Sequence, residues 1–267
     1  MTPWRLLLTP ELDGPTNMAM DEAMLLLADQ GLIAPTLRIY SWAPACVSLG
    51  YFQNTSQTVD VDLCAQLGLG LVRRLTGGGA LYHDDEVTYS LAWPGQTKQI
   101  PSNIEGSYQT ILQAIGQGLN NGLGAVLDSS HGAGSYGDEA FCLARSSCYD
   151  LTLSGKKVVG SAQRRMKNGF LQHGSILLGR KPGRLLELFG RTSSSLNLET
   201  IQARTIGLRE ALGHEISFDQ ASSSVVGGFE SVLGVTLEKS DLLAHERGLV
   251  QRLIKEKYGL DSWNRRS

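Results

Sequence analysis

The chain has 267 residues, 42% of them hydrophobic, and a formal net charge of -2. That length is enough to bury a full core, as one large domain or two small ones. The near-neutral balance argues against strong binding to bulk nucleic acid or anionic membrane, and four cysteines are too few for a disulfide scaffold.

At the N-terminus, MTPWRLLLTPELDG places only Leu6, Leu7 and Leu8 before Thr9-Pro10. That apolar run is too short for a signal-peptide core or a membrane span, so the sequence reads as a soluble cytosolic protein with reduced cysteines. Its 31 glycines against 8 prolines point to tight turns or loops that approach a ligand closely. Basic residues are scattered, and the NRRS tail adds no strong patch of its own.

Trp4 to Leu8 reads as a first strand. Gly14-Pro15 opens a helix from about Thr16 to Gln30, with Met20, Ala23, Met24 and Leu27 on one face. TLRIYSW and ACVSLGYF are β-branched, aromatic and alternating, hence strands. Asp60 to Leu67 is a short helix. LGLVRRLT is a strand, GGGA a forced turn and EVTYSLAW another strand. The spacing predicts a helix over Ser102 to Leu123. It is capped by an S-x-x-E box, Ser102 with Glu105, and striped by Ile104, Tyr108, Ile111, Leu112, Ile115 and Leu119. CYDLTLSGKKVVGSAQRR reads as a hairpin turning at Ser154-Gly155, and FLQHGSILL as a further strand. After Gly179 the pattern turns helical, through PGRLLELF, FDQASSSVVGGFESVLG and KSDLLAHERGLVQRLIKEKYG. No linker divides the chain. The fold class expected is α+β: a single domain over 1–267 with a central, mostly antiparallel sheet flanked by helices.

Four segments could carry chemistry. In RRLTGGGALYHDDEVTYSL, three successive glycines after a strand are poor for stability. They form either a plain turn or a loop whose bare backbone meets a ligand. His83-Asp84 beyond them is a candidate catalytic pair, or His83 is an ordinary hydrogen-bonded residue. The run matches no phosphate-binding glycine motif. In SGKKVVGSAQRR, Lys156 and Lys157 face opposite sides of a strand, so one can enter a site while the other meets solvent. Gly160, Ser161 and Ala162 are small and permit close packing. In LQHGSILL, Gln172, His173 and Gly174 interrupt an apolar strand, and a hydrogen-bonded core histidine is the simplest reading. In DEAFCLARSSCYDL, Cys142 and Cys148 lack the other ligands a zinc site needs. Cys148 starts a strand, and Cys46 and Cys64 lie in apolar sequence, as packing residues do. Cys142 follows a glycine-rich run where a thiol can be exposed. A nearby cation such as Lys157 would lower its pKa.

RRLTGGGALYHD, GKKVVGSAQ and QHGSILL, in that order, resemble the lipoate–protein ligase, octanoyltransferase and biotin–protein ligase superfamily, over about Ala34 to Glu246. CLARSSCYDLTLSGKKVVGSAQ resembles the cysteine-bearing stretch of its LipM-type octanoyltransferases. The resemblance implies a mixed α/β fold around a largely antiparallel sheet and no C-terminal accessory domain. It also implies an acyl-enzyme mechanism with Cys142 as nucleophile and Lys157 as the residue that lowers its pKa. Arg74, Gly77, Gly78, Gly79, His83, Gly160, Ser161, Ala162, His173 and Gly174 would surround the substrate. No cofactor or metal is implied. The expected donor is octanoyl-acyl carrier protein. The expected acceptor is a lipoyl domain, such as the glycine cleavage H protein or an acyltransferase subunit of a 2-oxoacid dehydrogenase, served by a monomeric enzyme. Gly79 departs from this type, which often has Arg there, and agrees with the ATP-dependent lipoate ligases. A ligase, or an amidotransferase between lipoyl domains, is therefore the alternative.

Overall fold

The computed structural model describes residues 4–9, 11–95, 98–129, 149–191 and 196–266. The strands are β1 (Trp4–Leu8), β2 (Thr36–Tyr40), β3 (Cys46–Leu49), β4 (Gly70–Arg73), β5 (Leu81–His83), β6 (Glu86–Trp93), β7 (Asp128–Ser129), β8 (Leu151–Leu153), β9 (Lys156–Arg165), β10 (Phe170–Leu177) and β11 (Leu237–Lys239). The helices are α1 (Gly14–Asp29), α2 (Thr55–Thr58), α3 (Val61–Gln66), α4 (Ile104–Leu123), α5 (Pro182–Phe189), α6 (Leu198–Arg204), α7 (Leu208–Leu212), α8 (Phe218–Leu233), α9 (Ala244–Leu253) and α10 (Asp261–Asn264).

Local chemistry sets most of these boundaries. Asp13 caps α1 by accepting from the Thr16 amide at 2.8 Å, ahead of Pro15 in the first turn. The cap of α4 is Asn103, not Ser102. Its side chain takes the Gly106 amide at 2.6 Å, which starts the helix one residue later. Ile104 then falls in the first turn, 54% exposed, and leaves the core stripe. The rest of that stripe is buried, and Ile111, Ile115 and Leu119, all fully enclosed, each contribute roughly 1.5–3 kcal/mol. Ser154 and Gly155 turn the β8–β9 hairpin with φ of 52° and 75°, the two positive values of a type I′ turn, whose twist matches that of the strands.

The main sheet has eight strands in the order β11-β1-β2-β6-β10-β9-β8-β7. β1 runs parallel to both β11 and β2, and the remaining pairings are antiparallel. A smaller sheet, β4-β3-β5, stands beside it. Helices α4 and α8 cover one face of the main sheet, against Trp4, Ile39, Tyr89, Val159 and Ile176. The alternate residues of the same strands, Leu7, Ala92 and Leu171, meet α1 on the opposite face. The fold is α+β, as the sequence indicates, with one added element. β11 comes from the helical last third and extends the sheet in parallel beyond β1.

Candidate active site

Strand register gathers polar side chains beneath α1. Arg38 of β2 pairs with Ser90 of β6, Ser90 with His173 of β10, and His173 with Ala162 of β9. In a sheet such partners share a face, so these side chains form one row. Asp21 of α1 descends into it. One carboxylate oxygen accepts from Arg38 at 3.0 Å and Ser90 at 2.8 Å. The other accepts from the Tyr40 hydroxyl at 3.0 Å and faces Nδ1 of His173 at 2.9 Å. Asp21 and Arg38 are completely buried. Burial alone would raise the Asp21 pKa. The His173 hydrogen bond and the charges of Arg38 and His173 outweigh it and hold the carboxyl below its ordinary value. Nε2 of His173 meets Thr76 Oγ1 at 2.7 Å, at the entrance to the glycine loop.

A second carboxylate–histidine–hydroxyl chain reaches that loop from the small sheet. Glu86 Oε1 lies 2.7 Å from His83 Nδ1, and His83 Nε2 lies 2.7 Å from Ser48 Oγ. Trp42 stacks on the His83 ring at 4.0 Å. The His83-Asp84 pairing is therefore corrected: Asp84 turns away to accept from Tyr82 and to pair with Lys181. Asp84 and Asp85, between β5 and β6, pair with Lys181 and Arg209, and Glu86 at the start of β6 is the carboxylate that meets the His83 ring nitrogen. Arg74 donates to Ser48 Oγ at 3.1 Å, Gly77 O at 2.9 Å and Gly79 O at 2.7 Å. It thereby fixes the path of the glycine loop from within.

The loop also passes tightly over Gly50. A Cβ at Gly50 would lie 1.9 Å from the Gly78 carbonyl oxygen, and Gly78 itself has φ 95°. Gly50→Ala is therefore expected to displace the loop and lower turnover on the order of 10²-fold, with a smaller effect on melting temperature. Steady-state rates and thermal unfolding of the same preparation test this. Full activity in the variant would show that loop position is not critical.

The third contributor is β9. Lys157 is 5% exposed and its Nζ pairs with Asp150 at 2.9 Å, whereas Lys156 is half-buried at the hairpin turn. The lysine stem folds against Gly160, where a Cβ would come within 2.7 Å of Lys157 Cε. Ser161 Oγ lies 2.8 Å from the Tyr89 hydroxyl, whose pKa burial pushes up to about 12. Gly174 has no room for a side chain: a Cβ there would stand 2.5 Å from Gly160 O and 2.8 Å from the Tyr89 ring.

These segments enclose one narrow cavity of about 50 Å³. Arg74, Gly78, His83, Gly160, Ser161, Ala162, His173 and Gly174 line it, with Met18, Tyr40, Trp42 and Leu81 supplying apolar wall. Gly77 and Gly79 are not part of this lining; their carbonyls accept from Arg74. Cys142 and Cys148 lie outside the described residues. Cys46 and Cys64 are free thiols buried in packing positions, and burial raises both pKa values, that of Cys64 to about 11. A larger groove of about 1000 Å³ lies across the sheet, between β1, β2 and α8, where Asp84, Asp85 and Glu86 border it.

Sequence reasoning did not single out Asp21, Arg38, Ser48, Thr76, Glu86 or Asp150. A signal existed for two of them. Asp21 shares the α1 face that buries Met24 and Ala28, and Arg38 is the charged residue in the wholly buried strand TLRIY.

Residues 13–230 match the family model of the lipoyl protein ligase A/B catalytic domain. The chain is 35% identical to octanoyltransferase LipM of Brevibacillus brevis, with 100% of both chains covered. It is 38% identical to octanoyltransferase LipM of Symbiobacterium thermophilum, with 99% of both covered. A T. acidophilum protein described as a lipoate protein ligase, solved with lipoic acid bound, shares the fold. Its TM-score is 0.82 at 24% identity, over 99% of this chain and 100% of that one. Matched end to end by these relatives, the chain belongs to the lipoyl protein ligase A/B catalytic-domain family and stands with its LipM-type octanoyltransferases.

Proposed function

We propose that the chain moves octanoate from octanoyl-acyl carrier protein to a lysine of a lipoyl domain in the cytosol, through a thioester on Cys142. Such a lysine is carried by the glycine cleavage H protein or an acyltransferase subunit of a 2-oxoacid dehydrogenase. The observation that carries this reading is the full-length similarity to relatives named octanoyltransferase LipM. The meeting of the three motif segments around one cavity supports it.

In the first half-reaction the Cys142 thiolate attacks the thioester carbonyl. The carbon–sulfur bond to the phosphopantetheine arm breaks, and that thiol leaves with a proton. In the second, the neutral lysine amine attacks the acyl-enzyme, the amide forms, and Cys142 departs as thiolate while the amine sheds a proton. Thioester exchange is near balance and amide formation from a thioester is downhill, so no ATP is needed. Each tetrahedral intermediate needs hydrogen-bond donors for its oxyanion. Arg74 takes the Gly77 carbonyl. In a trans peptide the Gly78 N–H then points the opposite way, which favours that N–H as one donor. Lys157 supplies the cation that favours thiolate at Cys142.

Incubation with octanoyl-acyl carrier protein is expected to add one octanoyl group to the intact protein, removable by hydroxylamine. Cys142→Ser should abolish that label, and Cys148→Ser should not. An unlabelled wild type that instead shows octanoate-dependent ATP–pyrophosphate exchange would establish the ligase alternative that Gly79 keeps open.

A further inference from the structure

The C-terminal arginines have a defined place beside the cavity. Arg73 is completely buried and binds the tail through backbone oxygens, Trp263 O at 3.1 Å and Arg266 O at 2.9 Å. The same guanidinium holds the turn after β3, through Gly50 O at 2.9 Å and Gln53 O at 2.6 Å. Tail and turn are thus tied together. The Arg266 side chain donates to Tyr51 O, and its guanidinium carbon lies 4.3 Å from the centre of the Tyr51 ring.

A second arginine reaches the same ring from β9: the guanidinium carbon of Arg164 is 5.7 Å from the Tyr51 centroid. Neither guanidinium has a carboxylate partner among the described residues, whereas the neighbouring Arg265 is paired with Asp261. Phe52 packs edge-on against Tyr51 at 4.8 Å and is 84% exposed, the most exposed large hydrophobic side chain among the described residues. An exposed aromatic ring next to two arginines that have no carboxylate partner among the described residues is unusual for a surface that meets only water.

This platform adjoins the cavity. The Tyr51 amide donates to Thr76 O at 2.8 Å, and Thr76 opens the glycine loop. Arg164 shares its strand face with Ala162 and Gly160, which line the cavity, and lies about 13 Å along the strand from Gly160.

We propose that Tyr51, Phe52, Arg164 and Arg266 form the docking platform for the donor: an acidic acyl-carrier domain whose phosphate-linked arm enters the cavity beside the glycine loop. The inference rests on the reading that the donor is a carrier-bound thioester. Charge complementarity selects this partner. Guanidinium groups bind phosphate and carboxylate oxygens in paired hydrogen bonds, and Phe52 supplies an apolar anchor in the middle of the contact. The overall charge of -2 would repel an acidic partner elsewhere on the surface, so a local cationic spot also orients the approach.

The test compares two donors, octanoyl-acyl carrier protein and octanoyl-pantetheine, which lacks both the phosphate and the protein. In Arg164→Glu/Arg266→Glu, the KM for the carrier donor is expected to rise at least about tenfold, while kcat/KM for octanoyl-pantetheine stays within about twofold. The wild-type KM for the carrier should also climb with added NaCl. Arg164→Glu and Phe52→Ser, both at exposed positions, repeat the comparison without touching the tail. An unchanged carrier KM in these variants, or an equal loss with both donors, overturns the platform. Failure of wild-type protein to transfer from either donor defeats the functional reading instead. In that case a titration of the wild type with labelled octanoyl-acyl carrier protein still decides: salt-sensitive binding weakened by Arg164→Glu supports the platform, and absence of binding refutes it.

Discussion

Replacing Lys157 with methionine is expected to lower octanoyl transfer by two to four orders of magnitude, roughly the worth of a positioned acid–base group. The pH midpoint for alkylation of Cys142 is expected to rise toward the ~8.5 of an ordinary thiol. The expectation starts from where the lysine is held. A lysine that is 5% exposed has lost most of its hydration, and its Nζ is fixed 2.9 Å from Asp150 against the backbone of a cavity-lining strand. A cation in that position stabilises an anion that forms nearby far more than a solvated lysine would. At pH 7 an unassisted thiol is only a few per cent thiolate, so losing the cation lowers the nucleophile concentration before any proton-transfer role is counted.

Two further variants separate chemistry from folding. Lys157→Arg keeps the charge and should retain an alkylation midpoint close to wild type, even where the bulkier head slows transfer. Lys157→Met/Asp150→Asn removes both charges of this ion pair together, so neither is deleted alone. It should regain thermal stability relative to the single variant without regaining activity. A folded Lys157→Met protein whose Cys142 alkylation profile matches wild type would show that Lys157 does not activate the thiol.

The fold was legible wherever local chemistry decides. The α1 entry, the Ser154-Gly155 hairpin and the 86–93 and 170–177 strands all follow from caps, positive-φ turns and alternation. β11 was not legible. Leu237–Lys239 carries two exposed charged residues, Glu238 and Lys239, and becomes a strand only because β1 offers a parallel edge. The glycine loop and the β9 and β10 motifs were readable as candidates, and register then brings them to one cavity. What holds them there was not readable. Each carboxylate lies far from its histidine in sequence or across the turn between β5 and β6, as with Asp21 and His173 or Glu86 and His83. Periodicity within a single element carries no information about such pairs.

The buried carboxylate Asp21 yields the largest stability prediction. Asp21→Ala strands Arg38, completely buried, with its charge uncompensated. Breaking such a pair costs about 3–5 kcal/mol, or on the order of 10 °C of melting temperature in a chain of this size. Asp21→Ala/Arg38→Met should recover part of the loss, because the unpaired charge leaves with its partner. The pH dependence follows from the depressed Asp21 pKa. In the unfolded chain the carboxyl titrates near ~3.9, and in the native protein it titrates lower. Its stabilising contribution is therefore complete above that unfolded value and is lost as pH falls through the native one. The melting-temperature gap between wild type and Asp21→Asn should accordingly be constant above about pH 5 and narrow in stronger acid. Transfer should suffer as well, since His173 loses the partner at Nδ1 that orients Nε2 toward Thr76 and the glycine loop. An Asp21→Ala protein that melts with wild type would mean that Arg38 finds other compensation, and the two networks would then not hold the site together.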